Sequence, residues 1–346
     1  MAEIQQSLST DARTASTRLV LVGEFVKEFK KLSRIAAPMV GIFLFDYLLQ
    51  VVSTMMVGHL GQLQLASVAI ATSVTNVVGF SFLLGILGAA AAFSLSTWLN
   101  VVLVSPYVMY SSSCKDTRAK LSKEAFLAIK QFFAFGLPSA LMLCLRWWSM
   151  EMLILSSGFL PNPRLETSGL SICLAITTLH FIIPYGIGAA ASTRVSNELG
   201  AGNPEAARRA AWSAVFVATL EAVIASTILF SCRFIVGYAY SNDKQVVDFI
   251  AAMTPLICLS IILDTLHAVF QGACINFVAF YLVGLPVGGV LGFVVHLRGK
   301  GLWTGIVVGS AVQSTLLCLI TCFTNWNKQA TKAKERLRER GRSSAA

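Results

Sequence analysis

VVDFIAAMTPLICLSIILDTLHAVFQG, running from Val246 to Gly272, decides the fold: it is long enough to cross a bilayer as one helix and carries charge only at Asp248, near its start, and around Asp264 and His267. A spanning helix needs about 20 apolar residues. Working outward, six further runs of that kind are bounded by charge, Gly or Pro: Ile35 to Val57, Gln131 to Ser157, Ser168 to Ala191, Ala210 to Tyr238, Ile275 to His296 and Leu302 to Trp326. The whole chain has 346 residues, 55% of them hydrophobic and only 13% charged, with a mean hydropathy of +0.71. Soluble domains carry about 25% charge, so lipid is the solvent. The fold class expected is an all-α polytopic transmembrane helix bundle.

The formal charge of +10 is gathered at Lys27 to Arg34, Lys115 to Lys130, Arg194 to Arg209 and Lys328 to Arg342, each block beside an apolar run. That placement fits positive-inside loops at an anionic leaflet rather than a nucleic-acid groove, so no nucleic-acid partner is expected. Cys144, Cys173, Cys232, Cys258, Cys318 and Cys322 lie in apolar runs without paired metal spacing, and read as small packing residues. Residues 1–34 are polar and of mixed charge, unlike a cleavable signal peptide, so the first span is expected to serve as its own insertion signal.

Residues 66–110 contain no Asp, Glu, Lys or Arg and would be about twice as long as a bilayer is thick if helical. Gly85 and Gly88 offer a hinge for two crossings. The basic blocks on either side both belong to the cytoplasm, however, which requires an even number of crossings between them and so a single crossing here. About eight or nine transmembrane segments follow, with both termini cytoplasmic. Arg298 and Lys300, in a short loop assigned to the outside, are the exception. The tail from Lys328 alternates basic and acidic residues with almost no apolar stripe, and reads as a solvated, basic helix near the leaflet.

An ionisable group inside a bilayer costs roughly 2.5 to 3.5 kcal/mol at mid-span, so each one asks for a reason. Asp46, Arg146, Glu151, His180, Glu221, Asp264 and His267 fall within the runs. Asp264 and Glu151 are the candidate proton or cation-coupling residues. His267 shares a helix face with Asp264, and Trp147 and Trp148 lie beside Glu151. Asp46, Glu221 and His267 are possible secondary sites; Glu221 and His180 read as lone groups on apolar faces. Arg146 and Glu151 are five residues apart and face different ways, so a direct pair within one helix is not expected. Each carboxyl could instead be satisfied by a neighbouring helix with no transport role. Pro138, Pro184, Pro255 and Pro286 can kink spans and free carbonyls. GxxxxGK[ST], HExxH and GxSxG are absent, so no catalytic residue, metal or cofactor is expected and an enzyme is not the reading.

YLLQVVSTMMVGHLG (Tyr47 to Gly61), RWWSMEMLILSSGFLPNP (Arg146 to Pro163), ASTRVSNELGAGNP (Ala191 to Pro204), LDTLHAVFQG and LRGKGLW (Leu297 to Trp303) occur in the order found in plant multidrug and toxic compound extrusion (MATE) transporters, and the chain resembles that family. The resemblance implies two lobes of six helices and efflux of xenobiotics or secondary metabolites. It implies antiport against a proton or sodium gradient in the vacuolar or plasma membrane, with carboxyls near Glu151 and Asp264 serving the coupling. TSVTNVVGFSFLLG (Thr72 to Gly85) resembles the family's second helix and LGAAAAFSLSTWLN (Leu87 to Asn100) its sixth, so helices three to five look absent. The parts would be a cytoplasmic segment 1–34, a remnant of the N-terminal lobe 35–110, a cytoplasmic loop 111–131, a C-terminal lobe 132–326 and a basic tail 327–346. The usual loop between helices ten and eleven is missing around Ala273 and Cys274. Arg146 stands where the family usually has Glu, and Asp46 where it usually has a neutral polar residue. The alternative is a non-transporting product of altered splicing or gene prediction.

Overall fold

A computed structural model describes residues 2–63, 65–67, 69–70, 102, 106, 109–110, 144–269 and 273–343. All regular structure among them is helical. The crossing count of 66–110, the loop 111–131, Pro138 and the join after Gly272 lie outside the described residues.

The helices are α1 (Ala2–Leu60), α2 (residues 144–157), α3 (Pro163–Ala201), α4 (Pro204–Ser231), α5 (Lys244–Val269), α6 (Phe277–Val294), α7 (Arg298–Phe323) and α8 (Trp326–Ser343). Five of them, α3 to α7, are long and apolar enough to cross a membrane. The helix α4 shows why lipid must be the outer solvent. Phe216, Leu220, Ile224 and Ile228 recur at every fourth position and are more than half exposed, while Ala207, Ala210, Ala214, Ala218 and Ala222 on the inner side are buried. Large apolar residues outside and small ones inside is the arrangement of a membrane helix, where close backbone approach and not removal from water holds helices together.

Several boundaries differ from the sequence reading. The basic block Arg194 to Arg209 is not a loop, because α3 runs on to Ala201 and α4 begins at Pro204, leaving only Gly202 and Asn203 between them. Gly202 takes the left-handed conformation at φ 77°, the N–H of Asn203 returns to the Glu198 carbonyl at 2.8 Å, and Pro204 restarts the next helix; this is the glycine stop and proline start that need no longer connection. The span expected to reach Tyr238 stops at Ser231, followed by a separate turn at Arg233–Val236. Residues 2–34 are helical and run without a break into the apolar stretch that follows, within α1. The tail is helical as expected, but docked: Ala330 is 5% exposed and the Lys334 side chain lies over Gly202.

The helices α6 and α7 form an antiparallel pair whose backbones touch. Gly284, Gly288 and Gly292 recur every four residues on α6 and face Gly301, Gly305 and Gly309 on α7; a side chain at Gly305 would meet the Gly288 backbone and one at Gly301 that of Gly292. Pro286 lies in α6 between two π-wound stretches, Phe277–Gly284 and Val290–Val294. Pro286 has no N–H to give to a preceding carbonyl, and the winding is wider on both sides of it. At the α6–α7 turn, Glu166 of α3 accepts the Gly299 N–H at 3.0 Å within electrostatic reach of Arg298 and Lys300. An acid that is distant in sequence thus answers the two basic residues that did not fit the loop-charge pattern.

Helix α1 packs along α3. Leu32 and Ala36 join Ile187, Ala190 and Ala191 in one apolar cluster, and the Phe43 and Tyr185 rings meet edge to face at 5.3 Å. At one end Arg194 Nη2 reaches Glu28 at 2.8 Å and Glu198 at 3.2 Å, while Lys31 bonds Glu28 at 3.1 Å. At the other, Gln62 donates to Asp243 at 2.6 Å. Burial pushes the Glu28 carboxyl up, but the hydrogen bonds and charges of Arg194 and Lys31 outweigh it and hold the group below its usual value. Stability from a depressed carboxyl is present above the unfolded-state pKa of about 4.3 and is lost as pH falls through the folded value. Glu28→Gln is therefore expected to flatten the acid limb of the melting temperature against pH in detergent and leave its slope above about pH 6 unchanged; an acid limb identical to that of the parent chain would contradict the assignment.

Candidate functional site

The polar residues of the bundle meet where α2, α5, α6 and α7 converge. Arg146 of α2 is 8% exposed and Asp264 of α5 is 7% exposed. Arg146 Nη2 lies 2.8 Å from Asp264 Oδ1, and the Ser310 hydroxyl of α7 donates to the same oxygen at 2.8 Å. The guanidinium sits over the Phe280 ring of α6, 4.6 Å from its centre, so one face of the cation is covered by an aromatic quadrupole. Its Nη1 is buried and has no hydrogen-bond partner among the described residues.

Supporting bonds fix the local backbone. Ser149 donates to the Arg146 carbonyl at 2.7 Å, and the Tyr281 hydroxyl donates to the Leu145 carbonyl at 3.2 Å. One turn further along, the Gln313 amide nitrogen bonds His267 Nδ1 at 2.7 Å and donates also to Asn276 Oδ1. An amide nitrogen only donates, so Nδ1 is the accepting nitrogen of that ring. His267 stacks against Phe181 of α3 at 6.3 Å. The Gln313 amide oxygen is buried without a partner among the described residues.

The sequence candidates therefore divide. Asp264 and His267, read as sharing a face, both point to α7 and meet Ser310 and Gln313, which are likewise three residues apart. Arg146 pairs with Asp264 from a neighbouring helix. Glu151, 7% exposed, lies within electrostatic reach of Tyr47 of α1, whose hydroxyl is hydrogen-bonded to Thr178. Glu221 and His180 are not lone groups: His180 Nε2 and Glu221 Oε2 face each other across α3 and α4 at 3.2 Å. Neither announces the other along the chain, because partners 41 residues apart share no sequence period. Asp46 lies on α1, and its side chain falls outside the described residues. Ser310, Gln313 and Asn276 escape a sequence scan for charge, which passes over neutral polar residues. The signal available is the repeated three-residue spacing, with both contacts bridging 46 residues.

Between α2 and α6 a cavity of about 320 Å³ opens, lined by Met152, Ser156, Tyr281, Gly284 and Phe293 among others. Tyr281 lines it and also bonds the Leu145 carbonyl; neither Arg146 nor Asp264 is among the lining residues.

Comparison with known proteins agrees with this architecture. A family model described as MatE matches residues 38–94 and 138–287, more than half of the chain. The chain belongs to the MATE family. It is 39% identical to Protein DETOXIFICATION 3 of Arabidopsis thaliana, with 91% of this chain and 94% of that protein covered. It is 51% identical to Protein DETOXIFICATION 5 of the same plant over 75% of this chain and 56% of the relative. The crystal structure of the eukaryotic MATE transporter AtDTX14 superposes with a TM-score of 0.81 at 36% identity, covering 90% of this chain and 99% of that one. The alignment with DETOXIFICATION 3 runs over 447 positions, more than the 346 residues present here, so the relative carries segments without a counterpart in this MATE chain. The first family match is also much shorter than the second, as a shortened N-terminal lobe requires. Members of the MATE family are transporters rather than enzymes, and this one is an integral membrane protein.

Proposed function

We propose that this chain is a secondary active transporter that couples movement of a small organic solute to a proton or sodium gradient, with Asp264 as the coupling carboxylate and Arg146 as its resting counter-ion. The observation that supports this most directly is a buried acid inside a spanning helix whose ion-pair partner comes from a different helix. A carboxylate of that kind has two states that differ in what holds the helices together: paired to Arg146, or neutralised by an incoming cation with Arg146 released. Binding a cation therefore changes the contact between α2 and α5, which is the link a coupled transporter needs. Glu151 is the second coupling candidate; Asp46, Glu221 and His267 are secondary. The cavity beside Tyr281 is of the size that small organic ligands occupy. Vacuolar or plasma membrane, with cytoplasmic termini, is the location this reading carries, from the charge of the helix ends.

Proteoliposomes containing the purified chain, under an imposed pH or sodium gradient, are expected to accumulate a cationic dye or an aromatic carboxylate, and Asp264→Asn to abolish the accumulation. No gradient-driven accumulation by the parent chain would favour the alternative, a shortened product that does not transport. Accumulation that survives Asp264→Asn would remove Asp264 from the coupling role.

A further inference from the structure

We propose that the cavity between the tail helix α8 and the α3–α4 turn is a binding site for a phosphate-bearing anion, which ties the tail to that turn when it binds. The site shares no residue with the buried ion pair and stands apart from the coupled-transport reading.

The cavity measures about 320 Å³ and is lined by Gly202 and Pro204 on one side and by Asn327, Thr331, Lys334 and Arg338 on the other. The α8 residues recur at intervals of three and four, so a single face of that helix supplies them. The helix rests on the turn through Ala330, which is buried, and through the Lys334 stem over Gly202. Lys334 and Arg338 are exposed, and among the described residues neither has an ion-pair or hydrogen-bond partner. The acid nearest the turn in sequence on α3, Glu198, is already answered by Arg194 at 3.2 Å and by the Asn203 amide at 3.3 Å. Both cations are thus left for a guest. On the other side, the Asn203 side chain does not cap α4 and Pro204 has no N–H to offer. The N–H groups of Glu205 and Ala206 therefore lack an acceptor within their own helix, and a negative charge beside Pro204 also meets the positive end of the α4 dipole.

Charge decides the guest. At the lining, Lys334 and Arg338 stand against Glu335, which leaves one positive charge, and Arg208, one turn beyond Pro204 on the same face of α4, adds a second. Glu205, the acid of that first turn, lies about 100° round the helix. A phosphate monoester carries about −1.5 to −2 near neutral pH and three strong acceptor oxygens, so it matches this surplus and takes donors from both helices at once. A carboxylate brings one charge and two coplanar oxygens. The Arg338 fork also suits phosphate. Asn327 follows Phe323, the last residue of the α7 span, by four residues, which sets the cavity close to the level of the lipid headgroups. A lipid headgroup and a soluble phosphate ester can both supply the group there.

Amide hydrogen exchange of residues 326–343, in the full chain held in phosphatidylcholine nanodiscs, separates these sources with two probes: soluble inositol trisphosphate, and phosphatidylinositol bisphosphate built into the discs. At least one is expected to slow exchange in α8, by about tenfold when the probe is present at roughly ten times its Kd. Protection by the trisphosphate in plain discs assigns a soluble ligand; protection by the lipid alone assigns a headgroup. K334Q/R338Q is expected to lose the protection. K328Q/K332Q, which removes the same charge from exposed positions that do not line the cavity, is expected to keep it. Glu335→Gln is expected to bind the probe more tightly, because a carboxylate beside the phosphate is gone. All five side chains are exposed, so these variants are expected to elute like the parent chain. Exchange that neither probe slows, or weaker binding by E335Q, overturns the proposal. So do equal losses in the two double variants, or equal protection when phosphatidylserine supplies the same total charge, since both are the behaviour of a basic tail drawn to any negative surface.

Discussion

Asp264→Ala is expected to lower the stability of the detergent-solubilised chain by about 3 to 5 kcal/mol, the cost of leaving one partner of a buried ion pair uncompensated. Arg146 has no ready escape. Its guanidinium lies over Phe280 at 4.6 Å, its Nη1 already lacks an acceptor among the described residues, and it sits on a helix that Ser149 and Tyr281 fix through backbone carbonyls. The same charge reversed gives the companion result: Arg146→Ala strands Asp264 with Ser310 as its remaining donor among the described residues and is expected to cost a similar amount. Because the pair is neutral as a whole, R146Q/D264N is expected to recover to within about 1 kcal/mol of the parent chain, and this non-additivity is the measurement that identifies the pair. Thermal unfolding of the four proteins reads it out. Single changes that cost less than about 1 kcal/mol each would mean that the two charges do not depend on one another.

Gly305→Leu is expected to be the most disruptive change outside the ion pair, costing about 3 kcal/mol or more and leaving little monodisperse protein. The reason is geometric. The first atom added at Gly305 would fall on the backbone of Gly288 and the Gly284 carbonyl, not on the end of a flexible side chain, so α6 and α7 must separate for any side chain to fit. In lipid there is no hydrophobic force between helices to make up for lost packing. Gly289, one residue beyond that contact, has open space around it, so Gly289→Ala is expected to change stability by less than about 1 kcal/mol. Equal yields and melting temperatures for the two variants would show that the glycine ladder is not what sets the distance between these helices.

Much of this is legible along the chain. The apolar run from Val246 to Gly272 marks a spanning helix whatever surrounds it, because the bilayer demands a length of uncharged residues and an internally bonded backbone. Asp264 and Glu151 stand out for the same reason: an acid in such a run is conspicuous by its cost. The limits are those of a one-dimensional pattern. A block of charge looks like a loop, yet Arg194 and its partner in space, Glu28, meet on helical segments that extend past the apolar stretches, since helical backbone satisfies itself in water as well as in lipid.

By itself the sequence determined that the chain lives in a membrane, that it is helical, and which acids must find partners there, because transfer from water to hydrocarbon depends on each segment's own composition. Only the tertiary structure decided who those partners are. Arg146 with Asp264, His180 with Glu221 and Gln313 with His267 each join different helices, and the side of a helix that meets a neighbour is set by how closely small residues let backbones approach, a property of two helices together and of neither one alone.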